Sequence, residues 1–366
     1  MTKAGIILIV FTLVATCRCV ASGFAVDDSL LDKSAGKSLL FPFFLKSPET
    51  NWGFGTAAAY FFKTEKKDPA VRTSDLNLVS LYTLRNQLVI VLGSTVYFSK
   101  EKAILRFEGS YSYYPDKCWG IGNATSSQSE ENYTIRQFYF NPQLLRNFFR
   151  HWYAGFTYEF QHVGSFLYRT NGVFDKQQII GRNGGNTSGL GFLLTWDTRN
   201  NAYSPTQGFF IEFSSKVFDK NIGSDFNFGK LSVDFRNFIL LPGKQVLALQ
   251  LVVNENSGAI PIRHLGMLGG SEIMRGYYRG RYMDKDMIAM QAELRQHVFW
   301  RLGVTGFAGI GEVAPHTSDF QWDGLHFAYG AGLRIMVSES EKLNLRIDFG
   351  VGKKSNGLYV ILKEAF

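Results

Sequence analysis

The stretch LNLRIDFGV, residues 343–351, carries an apolar side chain at every odd position and Asn, Arg, Asp or Gly at every even one. Side chains along an extended strand alternate between two faces, so this segment builds one apolar face and one wet face. The preceding run, 325–337, repeats the pattern, with Leu325, Phe327, Tyr329, Ala331, Leu333, Ile335 and Val337 on one parity. His326, Ala328, Gly330, Gly332, Arg334 and Met336 occupy the other. Such a face serves equally well as the core of a secreted sandwich or the lipid side of a barrel.

Strand length separates the two. Sixteen segments read as strands: 38–45, 52–65, 73–84, 88–98, 102–114, 132–147, 151–165, 188–199, 208–219, 223–239, 244–257, 286–298, 301–313, 325–337, 343–352 and 357–366. Most have 10 residues or more, the length a tilted strand needs to cross a bilayer. Counted from a periplasmic amino terminus, the connections after segments 4, 6, 10 and 12 are tight (Ser99-Lys100-Glu101, Arg150, Pro242-Gly243, Phe299-Trp300). Those after segments 5, 7, 11 and 13 are long, which is the pattern of outer-membrane barrels. Arg85-Asn86 is short for an outer loop, and Thr64 to Val71 is long for a periplasmic turn. The expectation is an all-β chain, one transmembrane antiparallel β-barrel of 16 strands over residues 38–366.

Composition agrees. Aromatics make up 15% of the chain, with 33 phenylalanines, yet mean hydropathy is −0.06 and no apolar run after the first residues reaches the length of a membrane helix. A barrel shows lipid only every second residue, which produces that combination. At the start, Lys3 precedes the apolar run Ile6 to Ala15, and the small residues Ala21, Ser22 and Gly23 lead to a cleavage point after Ala25. This is the layout of a secretory signal over residues 1–25, followed by a polar lead-in, 26–37. Threonine before Cys17 makes a lipid-anchor reading the weaker one. Loss of Lys3 and Arg18 lowers the net charge from +8 to +6, with no basic cluster for nucleic acid. Only Cys118 of the three cysteines would remain, so no intrachain disulfide staples the fold.

The long connection before segment 12 reads GGSEIMRGYYRGRYMDKD, residues 269–286: three arginines, four glycines and three tyrosines. Gly269-Gly270 and Met274-Arg275-Gly276-Tyr277 resemble the signature loop of the BamA/TamA-type outer-membrane assembly proteins, the bacterial surface antigen family. Two further motifs fall in that family's order. Asp197-Thr198-Arg199 followed by Pro205 and Gly208 is similar to its periplasmic turn, and the run Leu343 to Phe366 ends on an aromatic, as its assembly signal does.

The resemblance implies that the loop folds back into the lumen and that Arg275 pairs with an acid on the wall. Glu293 is the natural partner, since Gln291, Glu293 and Arg295 share a wet face while Ile288, Ala292 and Leu294 face lipid. The family's second acid, two residues after the Phe of strand 13, is replaced by Gly309 after Phe307-Ala308. Glu312 has the wrong parity to substitute, and Asp348 is the candidate that compensates. The 12 residues between Ala25 and Ser38 are too few for a POTRA module, so the chain resembles a POTRA-less branch.

Function therefore divides three ways. An assembly-type barrel would place proteins or lipids in the Gram-negative outer membrane through a weak seam between its first and last strands, helped by a periplasmic or outer-membrane partner. Pro42 in a short first strand removes a ladder donor and suits such a seam. A passive or gated small-solute pore is the alternative, because 16 strands can enclose water. An enzyme is disfavoured: no G-x-S-x-G occurs, and His151, His162, His264, His297, His316 and His326 are scattered without metal-ligand spacing. Neither cofactor nor metal is expected.

Overall fold

The computed structural model describes residues 37–64, 74–98, 102–201, 203–339 and 342–366. The leader 1–25, the lead-in 26–37 apart from its last residue, and the connections 65–73 and 99–101 lie outside the described residues.

Eleven strands come first: β1 (Lys37–Ser47), β2 (Asn51–Phe62), β3 (Ser74–Thr83), β4 (Leu88–Phe98), β5 (Ala103–Cys118), β6 (Glu131–Phe149), β7 (Trp152–Leu167), β8 (Gly185–Asp197), β9 (Gly208–Phe218), β10 (Phe228–Leu241) and β11 (Gln245–Gly258). A long loop follows and contains two short strands, β12 (Gly266–Leu268) and β13 (Tyr282–Asp284), which pair with each other apart from the barrel wall. The wall resumes with β14 (Asp286–Phe299), β15 (Leu302–Ala314), β16 (His326–Ser338), β17 (Leu343–Gly352) and β18 (Ser355–Leu362). Each wall strand pairs antiparallel with its neighbours, β11 with β14 across the loop and β18 with β1, closing a 16-stranded barrel.

The alternation sorts the faces. On β14, Met290 and Leu294 stand exposed on the outside, while Gln291, Glu293 and Arg295 are buried inside. Phe156, 72% exposed, and Tyr329 belong to the outward face, where hydrocarbon is the natural contact. Near the periplasmic turns the aromatics gather into a belt: Trp152 stacks on Trp196 at 5.4 Å and Trp196 on Phe209 at 5.8 Å. Amphipathic rings favour that level of a membrane. At the other end, Cys118 of β5 and Tyr133 and Ile135 of β6 form an apolar cap with Phe174, Ile179 and Ile262 of the long outer loops. Glu131 holds it by accepting the Arg169 and Val173 backbone N–H groups.

Three expectations are corrected. The tenth segment, 223–239, is displaced to Phe228–Leu241, because residues 219–227 turn instead: Asp219 and Asp225 accept backbone N–H groups from Asn221 and Asn186. The first strand is not short; β1 has 11 residues and pairs along its whole length with β2. The last strand stops at Leu362 rather than Phe366, since Lys363 enters the left-handed region (φ 78°) and turns residues 364–366 into the lumen.

Candidate functional site

The loop 259–285 enters the lumen from the outer end and lies against β11 and β14–β18. Leu268, Met274, Tyr277 and Tyr282 pack there with Val252, Met287, Ala289, Val313 and Ala328. Glycine is required where loop and wall backbones meet. A Cβ on Gly276 (φ 116°) would lie 2.7 Å from Val351 backbone, and one on Gly350 would lie 2.6 Å from the Arg275 carbonyl carbon. Gly269 (φ 101°) and Gly270 (φ 105°) turn the loop back on itself, with the Gly270 N–H donating to the Tyr277 carbonyl at 3.0 Å. Both sets need a residue without a side chain.

Tyr277 pins the loop to β16 and to the last hairpin. Its hydroxyl donates to the Phe327 carbonyl (2.9 Å) and accepts from the Lys353 N–H (2.8 Å), while Tyr359 accepts from the Gly276 N–H at 3.0 Å.

Between these anchors Arg275, 1% exposed, lies with its guanidinium 3.6 Å from the Phe307 ring centroid. One amino group binds Glu293 on β14 and the other binds Asp348 on β17. The two acids come from strands separated by β15 and β16, so a single side chain spans four consecutive strands of the inner wall. Further arginines complete the shell. Arg334 reaches Asp348 (2.5 Å), Glu293 (3.3 Å) and Glu364 (2.7 Å), Arg295 binds Glu293 (2.7 Å), and Arg346 binds Asp348 (3.1 Å). Desolvated charges of this kind hold only when paired, and here every one of these arginines has a carboxylate partner, although Arg275 Nε, Arg295 Nη1 and Arg346 Nε are buried without a hydrogen bond. Gly309 gives the missing-acid position a different use: its bare face leaves room for Met274, whose sulfur would be 3.0 Å from a Cβ there. Glu312 instead accepts the Gln321 N–H in the outer loop.

Arg334, Arg346 and Glu364 were not singled out from the sequence. The wet parity of 325–337 and 343–351 already contains the two arginines, and that is the signal which could have found them. Glu364 gave no such signal, because its position depends on the turn at Lys363.

The outer end of the loop has a second attachment. The Arg279 N–H donates to Glu49 at 2.8 Å, the Tyr278 hydroxyl to Asp116 at 2.8 Å, and the Gln87 side chain bridges the carbonyls of Glu49 and Pro115. Burial raises the Glu49 carboxyl above its ordinary range, and burial followed by Asp116 raises the Tyr278 phenol.

The periplasmic turn is equally built. Arg199 grips Asp197 through two hydrogen bonds, 2.9 and 2.8 Å, with its guanidinium 4.4 Å from the Phe210 ring centroid. Pro205 is buried, and Gly208 (φ 107°) passes so close to Thr198 that a Cβ would lie 2.4 Å from its carbonyl oxygen. Above this turn the last residues fold in. Phe366 packs on Phe238 and Ala248, its carbonyl oxygen accepts from Arg295 at 3.0 Å, and Glu364 accepts from Asn344 at 2.7 Å. Pro42 is remote from all of this, exposed on β1 opposite Thr56 of β2.

An antiparallel 16-stranded wall with a long inserted loop defines a transmembrane β-barrel whose lumen the loop partly fills. The chain matches the Omp85 superfamily domain over residues 72–359 and belongs to that superfamily. Among solved structures, its fold is similar to BamA from Haemophilus ducreyi lacking POTRA domains 1–3, at 14% identity and a TM-score of 0.59, covering 90% of this chain and 70% of that one. It is also similar to CdiB from Acinetobacter baumannii (13% identity, TM-score 0.55) and from Escherichia coli (10%, 0.59). Those matches cover 89% and 88% of this chain but only 59% and 62% of the CdiB chains. No curated protein matches it.

Proposed function

We propose that this barrel is a non-catalytic insertase of the outer membrane, which opens between β1 and β18 to place proteins or lipids in the bilayer. A partner supplies the periplasmic modules that deliver clients. One observation carries the reading. Among the described residues β1 and β18 share a single registered pair, Lys46↔Val360, whereas β17 and β18 share eight. Continued in register, the last strand would set Lys363 opposite Phe43, Glu364 opposite Pro42 and Phe366 opposite Leu40. The turn at Lys363 removes those partners, so among the described residues the edge of β1 from Leu40 to Phe43 faces no strand on that side. An unpaired edge is a template for an incoming strand.

A small-solute pore is the less favoured reading, because the buried arginine cluster and the inserted loop occupy one side of the lumen. The test is capture: a photoreactive residue at Leu40, in purified barrel reconstituted in vesicles, should crosslink to an unfolded outer-membrane protein supplied from outside. Stable single-channel conductance with no such adduct would support the pore instead.

A further inference from the structure

The lumen is polar around most of its circumference but apolar beside the seam. Leu39 to Leu45 and Leu88 to Leu92 are unbroken apolar runs, unlike the strict alternation of β17. A continuous run in a strand signals two apolar faces. Thr83, buried at the loop's outer attachment, fixes which parity points inward. Two successive rungs of the ladder then cross four strands from the seam: Phe43, Gly55, Leu81 and Val89, then Phe41, Ala57, Val79 and Val91. Both end on serines of β5, Ser112 and Ser110. The Phe43 ring reaches over Gly55, where a Cβ would meet it at 2.6 Å. The remaining side chains stay partly exposed, since the inserted loop packs on β11 and β14–β18 instead. The strip is about 14 Å long, from the three spacings between its four strands.

We propose that this inner strip is a binding site for the acyl chain of a bilayer phospholipid, entering through the seam. Three features select that occupant. The strip begins at the open edge of β1, so it continues the lipid-facing surface, with exposed Leu40 on one side and Phe41 on the other. Strands β2, β3 and β4 are paired on both edges, so the wall offers side chains and no backbone donors or acceptors. A polypeptide lying there would leave its own N–H and C=O groups unsatisfied, whereas a hydrocarbon chain has none to satisfy. An apolar strip in an otherwise charged, wet lumen is also unfavourable unless covered. The inference rests on the barrel's place in a bilayer and not on what the seam inserts.

Single cysteines at Val79 or Val91, in a Cys118→Ser background, would carry a small fluorophore in vesicles made with phospholipid brominated in mid-chain. Contact quenching by the brominated chains should dim both positions to an extent comparable with outward Leu78→Cys. A cysteine at Ser110 should respond to aqueous iodide alone. Two positions keep the test valid if one variant fails to fold. Quenching of Val79 and Val91 by iodide only would show a water-filled strip and overturn the proposal. Protection from both quenchers would show the strip covered by the protein itself and overturn it as well.

Discussion

Arg275 of the inserted loop and Asp348 of β17 meet by a charge-assisted hydrogen bond inside the barrel, and Glu293 of β14 takes the other side of the same guanidinium. The loop is thereby fastened across four consecutive wall strands by one residue. Replacing Arg275 with Ala leaves two buried carboxylates short of a partner, a change that costs about 3–5 kcal/mol in buried pairs. Loosening of the loop should show as new protease cleavage within 269–286 and loss of function, while the barrel still assembles. Arg275→Lys should rescue poorly, because one ammonium cannot serve both acids with a planar fork.

Gly332 tests the same lock without altering charge. An added Cβ there would lie 2.0 Å from the Asp348 carboxylate and 2.9 Å from Arg334, whereas at Gly306, on the outward face, it meets nothing within 4 Å. Gly332→Ala should displace Asp348 and lower stability by about 1–3 kcal/mol, as overpacking does. Gly306→Ala should be neutral. Thermal unfolding in detergent compares the two, and equal midpoints would show that Asp348 is not seated by Gly332.

His264 supplies a pH dependence. It is buried against Thr187 and Glu159, near Lys216, Lys230 and Arg263, and burial pushes its imidazole down to about 3 in spite of Glu159. The folded protein thus refuses a proton that the unfolded chain accepts below about pH 6.5. Stability should be full above that value and fall as pH drops toward 3, by at most about 1.4 kcal/mol per pH unit. His264→Gln keeps a hydrogen-bonding partner for Thr187 and should unfold with a shallower acid dependence. Identical profiles for the two proteins between neutral and mildly acidic pH would contradict this.

Phe366 bears on assembly. Its ring is 5% exposed against Phe238 and Ala248, and truncation of a buried Phe typically costs about 3–5 kcal/mol. Phe366→Ala should free the tail and lower the fraction of heat-modifiable, folded barrel in membranes. Deletion of Phe366 should have the larger effect on insertion.

Strand number and order were legible because period-2 alternation and turn spacing recur through the chain, as in 325–337 and 343–351. The loop's return into the lumen was implied by the family resemblance, and parity only singled out Glu293 as the partner of Arg275. The turn at Lys363 was not legible, because a lysine with positive φ leaves no local signature and Ile361 to Phe366 reads as more strand. For the same reason the proposed seam was traced to a short β1, whereas the observed feature is the single β1–β18 pair beside a β18 that ends at Leu362. The apolar face of β2–β4 toward the lumen was written in runs such as Leu88 to Leu92, but a continuous run does not say which face lacks a wet partner.

Lateral opening is the central claim, and a reversible lock across the seam tests it most directly. Extending the Lys46↔Val360 register by two residues sets Phe44 opposite Leu362. Phe44→Cys and Leu362→Cys, in a Cys118→Ser background, would form that lock when oxidised. Measured as restoration of outer-membrane protein assembly in cells lacking their own copy, activity should disappear on oxidation and return with reductant. Full activity in the completely crosslinked barrel would contradict the account.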